Sequence, residues 1–196
     1  MKKYFFFFYI ILFSFTAIAD DTVDRLGVKG PLVFGNANFK LAWTDKPDDT
    51  YYIQKYLPAG DTLPKFNQLL TIHLLKKNMT VLDAVKQQVE ELAKRKLTDR
   101  ICNFKVIESP DGTEFIMDFL LSESKKDVME IVEFNIYHYK PVVLGSNENA
   151  ILIYAYSKRS YGNDIKPFIK ALKANRTDML NTMLAAQVPV ITLAAN

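Results

Sequence analysis

Over most of the chain apolar and polar residues alternate with a period of two, and in two stretches the spacing changes to about 3.6, so the pattern predicts strands interrupted by two helices. Phe39, Leu41 and Trp43 stand against Lys40, Ala42 and Thr44. The bend-forming run Asp45, Lys46, Pro47, Asp48 and Asp49 follows, and residues 51 to 57 resume as a second strand, which makes a hairpin. Pro58 to Asp61 break that strand. Leu70, Ile72 and Leu74 alternate with Thr71, His73 and Leu75 and predict a third strand running to Lys77, with Thr71 and His73 turned outward. Leu63, Phe66, Leu69 and Leu70 also fit a helix beginning at Thr62.

Thr80 and Asp83 have the spacing of a capping box, ahead of the stripe Leu82, Val85, Val89, Leu92 and Ala93, so a helix is predicted to end near Lys96. Four strands follow over 101 to 108, 115 to 122, 128 to 140 and 151 to 158. Their polar connections are too short for a crossover, which requires antiparallel neighbours. Asp164 is placed as the N-cap of a second helix carrying Ile165, Phe168, Ile169 and Leu172, continued by Met179, Leu180, Met183 and Leu184. The predicted class is α+β: one antiparallel sheet of six to seven strands with two main helices packed on it.

The first residues change what the composition means. Lys2 and Lys3 precede an apolar run from Tyr4 to Phe13, and Ala17, Ile18 and Ala19 precede Asp20, the layout of a signal peptide cleaved after residue 19. The run is shorter than the roughly 20 residues a membrane-spanning helix needs. The expected organisation is a signal peptide over 1 to 19, a lead-in segment over 20 to 38, a single α+β domain over 39 to 187 and a C-terminal tail over 188 to 196. The whole chain carries +3; without its first nineteen residues, 23 basic groups face 22 acidic ones. A nearly balanced chain has no large field to gather phosphates or anionic lipid, which argues against nucleic acid and membrane-surface partners. Cleavage leaves no integral membrane anchor, and the expected location is secreted or periplasmic. The single cysteine, Cys102, shares a strand face with Phe104 and Val106, alternating with Asn103 and Lys105, and reads as a buried structural thiol.

The stretch Tyr56-Leu57-Pro58-Ala59-Gly60-Asp61-Thr62, with Phe66 and then Leu70 and Thr71, resembles an uncharacterised exported set from Gram-negative bacteria, although Phe66 stands where those proteins would have Trp. The order of elements over residues 38 to 175 resembles the Mog1/PsbP-like α+β proteins. That resemblance implies an interaction module and no particular ligand.

Candidate chemistry is sparse. Two histidines, His73 and His138, fall short of the three or four ligands a zinc site needs, and no H-E-x-x-H or C-x-x-C spacing recruits others, so no metal and no cofactor is predicted. No G-x-S-x-G turn is present; a hydrolytic set of Ser146, His138 and Glu133 is drawn only from closeness in sequence. Asp118, Glu130 and Glu133 are candidates for paired carboxylates. Aromatic placement stands out more. The eight tyrosines beyond residue 19 all lie in or just after predicted strands, and tyrosine combines a large contact area with a polar tip. Tyr137, His138, Tyr139, Tyr154 and Tyr156 are therefore the candidate binding residues; the competing reading puts these tyrosines in the core.

The predicted function is that of an exported, non-enzymatic binding module, such as a secreted virulence factor, that engages a protein or envelope component through a tyrosine-bearing sheet face. The alternatives are a secreted hydrolase with a site near His138 and a structural subunit of an envelope assembly. Partner identity and oligomeric state do not follow from the sequence.

Overall fold

The computed structural model describes residues 22 to 193 except Lys29 and Ser146; the expected signal peptide lies outside the described residues. Eight strands form one sheet: β1 (Leu32–Phe34), β2 (Ala37–Asp48), β3 (Tyr51–Leu57), β4 (Gln68–Leu75), β5 (Asn103–Glu108), β6 (Phe115–Lys125), β7 (Val128–Leu144) and β8 (Glu148–Tyr161). Their spatial order is β1-β2-β3-β4-β8-β7-β6-β5, and every neighbouring pair is antiparallel. Two helices accompany the sheet, α1 (Val81–Arg95) and α2 (Ile165–Ala185), the latter entered through a 3-10 turn at Gly162–Asp164.

This corrects the expected architecture. The molecule is mostly sheet, an eight-stranded antiparallel sheet curled into a half-barrel with two helices, in place of six to seven strands with two helices packed on them. The additional strand is β1, which lies in the stretch read as a lead-in. Three residues are too few to display alternation, and the hairpin to β2 depends on Gly35, whose φ of 57° suits a residue without a Cβ. The rest of that stretch is also tied down. Gln54, fully buried on β3, accepts through Oε1 from the N–H groups of Arg25 (2.6 Å) and Leu26 (3.2 Å) and donates through Nε2 to Tyr56 Oη at 2.6 Å.

The period of two divides the sheet into two faces. On one, Tyr52, Tyr56, Leu70, Ile72, Phe134, Ile136, Leu152, Tyr154 and Tyr156 form the larger core with Phe168, Leu172, Met179, Leu180 and Met183 of α2. Arg176 of α2 reaches Asp118 on β6 with Nη2 at 2.6 and 2.8 Å from its two oxygens. The opposite face packs Phe115, Met117, Phe119, Leu121, Tyr139, Ile151 and Ile153 against Val81, Ala84, Val85 and Leu92 of α1. The predicted capping box opens α1: Asp83 N–H donates to Thr80 Oγ1 and Thr80 N–H to the Asp83 carboxylate, each at 3.1 Å. Cys102 is buried in this second core, its Sγ 3.5 Å from the Leu92 carbonyl, and burial pushes its thiol pKa up. Among the described residues no helix is long and apolar enough to cross a membrane.

Candidate binding face

On the α1 face the sheet register lines up side chains from four adjacent strands. Ile53, His73, Ile153 and Tyr139 form one row across β3, β4, β8 and β7, and Lys55, Thr71, Ala155 and Tyr137 form the next. Leu69, Ser157 and Asn135 follow, then Arg159 and Glu133. Successive rows are about 7 Å apart, two residues of strand rise. The apolar packing on this face is split. One cluster lies under α1, and a second, made of Leu57, Phe66 and Leu69, lies under the 58 to 67 connection. Between them the rows turn polar: Thr71, Ser157, Asn135 and Glu133 are buried, while Ile53, Lys55, Tyr137 and Arg159 are half-buried around them.

Hydrogen bonding in this gap is incomplete. Ser157 Oγ donates to Asn135 Oδ1 at 2.5 Å, and Asn135 Nδ2, in a residue 1% exposed, has no partner among the described residues. Leaving a buried donor unmade costs about 1–3 kcal/mol, so such a group calls for an explanation. The two cations rest on rings. Lys55 Nζ lies 4.9 Å from the centroid of the Trp43 ring, and the Arg159 guanidinium 4.1 Å from that of Phe66. Arg159 Nε donates to Glu133, whereas Lys55 has no carboxylate within ion-pair distance among the described residues. Burial pulls the Lys55 pKa below the usual lysine range, and nearby Arg159 adds to this while Glu133 opposes it. His73, hydrogen-bonded through Nδ1 to Tyr51 Oη at 2.7 Å, is pushed down to about 3 by burial and then by Lys55, so it is neutral at pH 7. Its ring lies parallel to that of Tyr51 at 6.0 Å, and Tyr137 meets Phe119 edge-on at 4.9 Å.

The five candidate binding residues do not share a surface. Tyr137 is half-buried on the α1 face, and Tyr139 beside it is buried. His138, Tyr154 and Tyr156 lie on the opposite, α2 face and are buried as well. The reason is position: β7 and β8 are central strands covered on both sides, where tyrosine serves as a large core residue. His73 is buried too, against the expectation of an outward residue. Glu133 and His138 stand on opposite faces, so the drawn triad is not assembled; its Ser146 lies outside the described residues. Asp118 and Glu133 are likewise on opposite faces and form no carboxylate pair.

His138 has a different partner. Its Nε2 is 2.7 Å from Glu114 Oε2, and Lys140 Nζ is 3.0 Å from Glu114 Oε1. Burial lowers the His138 pKa, Glu114 partly restores it and Lys140 lowers it again. Burial raises the Glu114 pKa, but its hydrogen bonds with Lys140 and His138 outweigh that and hold it below the usual range. These three side chains edge an open cleft of about 440 Å³ whose other walls include Ile107, Pro110, Leu184 and Val188. Ser109, also on the cleft wall, donates its hydroxyl to Asp111 at 2.6 Å and accepts the Glu114 N–H, so it is not aimed at the histidine. Among the described residues no three His, Cys, Asp or Glu side chains are grouped to hold a metal ion.

The sequence reading passed over Lys55, Thr71, Ser157 and Arg159. The available signal was parity: Glu133, Asn135 and Tyr137 share a side of β7, but their counterparts on β8, β4 and β3 become neighbours only once the register is known. No curated protein matches the sequence. A protein-family model matches residues 26 to 188, a span that opens at the buried Leu26 and takes in all eight strands and both helices. The chain belongs to that family.

Proposed function

We propose that the protein is an exported binding module without enzymatic activity, and that it engages a protein or envelope component through the gap on the α1 face. The observation that carries this reading is the split in the apolar packing there: half-buried Ile53, Lys55 and Tyr137 surround a buried polar floor in a stretch of sheet that α1 leaves to one side. A face closed only for stability would continue the hydrophobic rows, because burying polar side chains under a helix costs free energy unless each is fully paired. Export rests on the charged, apolar and small-residue order of positions 1 to 19, and a kinship with Mog1/PsbP-like proteins rests on the order of elements over residues 38 to 175; both belong to this reading, as does a role in virulence. Culture fractionation with mass spectrometry of the mature N-terminus tests export, which predicts a chain beginning at Asp20. Co-purification from the envelope with Ile53→Asp beside wild type tests the face: the partner is expected to be lost with the fold retained, and equal recovery overturns it.

A further inference from the structure

Independently of the α1 face, we infer that the cleft on the α2 face takes a small apolar molecule with a neutral hydroxyl head, which donates to Glu114 and accepts from Lys140. The cleft holds about 440 Å³, within the range of about 300–1,000 Å³ common for small-molecule sites. Its floor follows the sheet register: Ile107, Ile116 and His138 pair in turn across β5, β6 and β7. Pro110 joins it from the turn between β5 and β6, and Leu184 and Val188 from where the chain leaves α2. Ile107 is 39% exposed and Leu184 62%, so two large aliphatic side chains line a concave site with no other part of the described chain over them. Such walls release water to an apolar guest, and the few polar groups among them fix its orientation.

The polar groups select the head of that guest. Glu114 takes one donor on each oxygen, His138 Nε2 at 2.7 Å and Lys140 Nζ at 3.0 Å. Glu114 is ionised at pH 7, and His138, its pKa lowered from 6.5 by burial, is neutral with the proton on Nε2. One carboxylate, one ammonium and one neutral imidazole sum to no net charge. Glu108, the remaining charged residue of the wall, alternates with Ile107 and lies by the turn, where a Cβ on Gly112 would come 3.1 Å from its Oε1. A carboxylate oxygen accepts more than one bond and an ammonium has three N–H groups, so Glu114 and Lys140 each keep bonding capacity. A hydroxyl uses both at once. A guest carboxylate would stand against Glu114 and a guest ammonium against Lys140, and these repulsions strengthen where water is partly excluded. His138 is 7% exposed and its Nδ1 has no partner among the described residues, so Glu114 alone ties its ring nitrogens. The ring therefore reports on whatever engages that carboxylate.

Titrations of the full chain with 2-naphthol, 2-naphthoate, 2-naphthylmethylammonium and 2-methylnaphthalene, followed by nitrogen NMR of labelled histidine rings, test this. The chain has two histidines, and His138→Gln identifies the signals of each. The expected result is that 2-naphthol shifts the His138 signals and leaves those of His73 in place, while the other three compounds bind about tenfold or more weakly. Glu114→Gln frees the Lys140 ammonium and is expected to raise the affinity for 2-naphthoate about tenfold. Leu184→Asp, at an exposed position, is expected to weaken 2-naphthol about tenfold with the melting curve near wild type. Binding of 2-methylnaphthalene as tight as that of 2-naphthol would overturn the role of the hydroxyl. Equal binding of 2-naphthoate to the wild-type chain would overturn the neutral head. No binding of 2-naphthol, or shifts confined to His73, would overturn the site.

Discussion

The N–H of Thr192 donates to the carbonyl of Leu26 at 2.8 Å, so the segment that enters the fold and the segment that leaves it are clasped together. Gly27 makes the approach possible. Its φ is +62°, and a Cβ there would lie 2.2 Å from the Thr192 carbonyl oxygen. Both the left-handed backbone and the contact exclude a larger residue. Gly27→Ala is expected to lower stability by about 1–3 kcal/mol and to release the tail. Urea denaturation and limited proteolysis check this, and an unchanged midpoint with an uncut tail would contradict the clasp.

Asp118 is almost wholly buried and is gripped by Arg176. Arg176→Met leaves the Asp118 carboxyl, whose pKa burial already raises, without its partner beneath α2; because Arg176 is itself partly exposed, the expected cost is about 1–3 kcal/mol. The double variant Asp118→Leu, Arg176→Met is expected to recover most of that loss. Thermal melts of the two variants decide it: equal destabilisation would mean that the pair does not hold the helix.

Acid should weaken the fold through its histidines. The His73 pKa is about 3 in the folded protein, against about 6.5 in an unfolded chain, and the His138 pKa is also depressed by burial. Below pH 6.5 the unfolded chain takes up protons that the buried rings refuse. The stabilisation is therefore complete above that pH and declines as pH falls toward 3, by up to about 1.4 kcal/mol per pH unit for each such group. Urea midpoints at pH 7 and pH 5 measure this, and His73→Gln should show a smaller difference than wild type; an identical difference would contradict the assignment.

Thr80 and Asp83 satisfy each other's backbone at the start of α1. Thr80→Ala is expected to cost about 1 kcal/mol, the usual value for losing an N-cap. Since α1 bounds the proposed face, hydrogen exchange should report faster opening of residues 81 to 85 in this variant, and protection equal to wild type would contradict the capping role.

Local signals carried much of the fold. The capping box, the alternation in β2 to β8 and the short polar turns are each written in contiguous residues, and these elements formed. β1 was hidden because its three residues show no period, and the segment just before it is pinned by Gln54, about thirty residues downstream of Arg25 and Leu26. The curl of the sheet was equally hidden, since it arises from how eight strands are joined. For the site the limit was similar. Tyrosine at positions 137, 139, 154 and 156 reads the same in a core as on a surface, and only strand order shows that β7 and β8 are central. The polar gap is an alignment of single residues on four strands, none unusual alone: a lysine between Gln54 and Tyr56, a threonine between Leu70 and Ile72, a serine between Tyr156 and Lys158, and an asparagine between Phe134 and Ile136.

The most direct test of the binding face is site-specific photo-cross-linking in the producing cells. A photoreactive residue at position 53, on the rim of the gap, should give a discrete adduct that the same residue at the exposed Val143, near the far end of β7, does not give. Adducts at position 143 with none at position 53 would contradict the account.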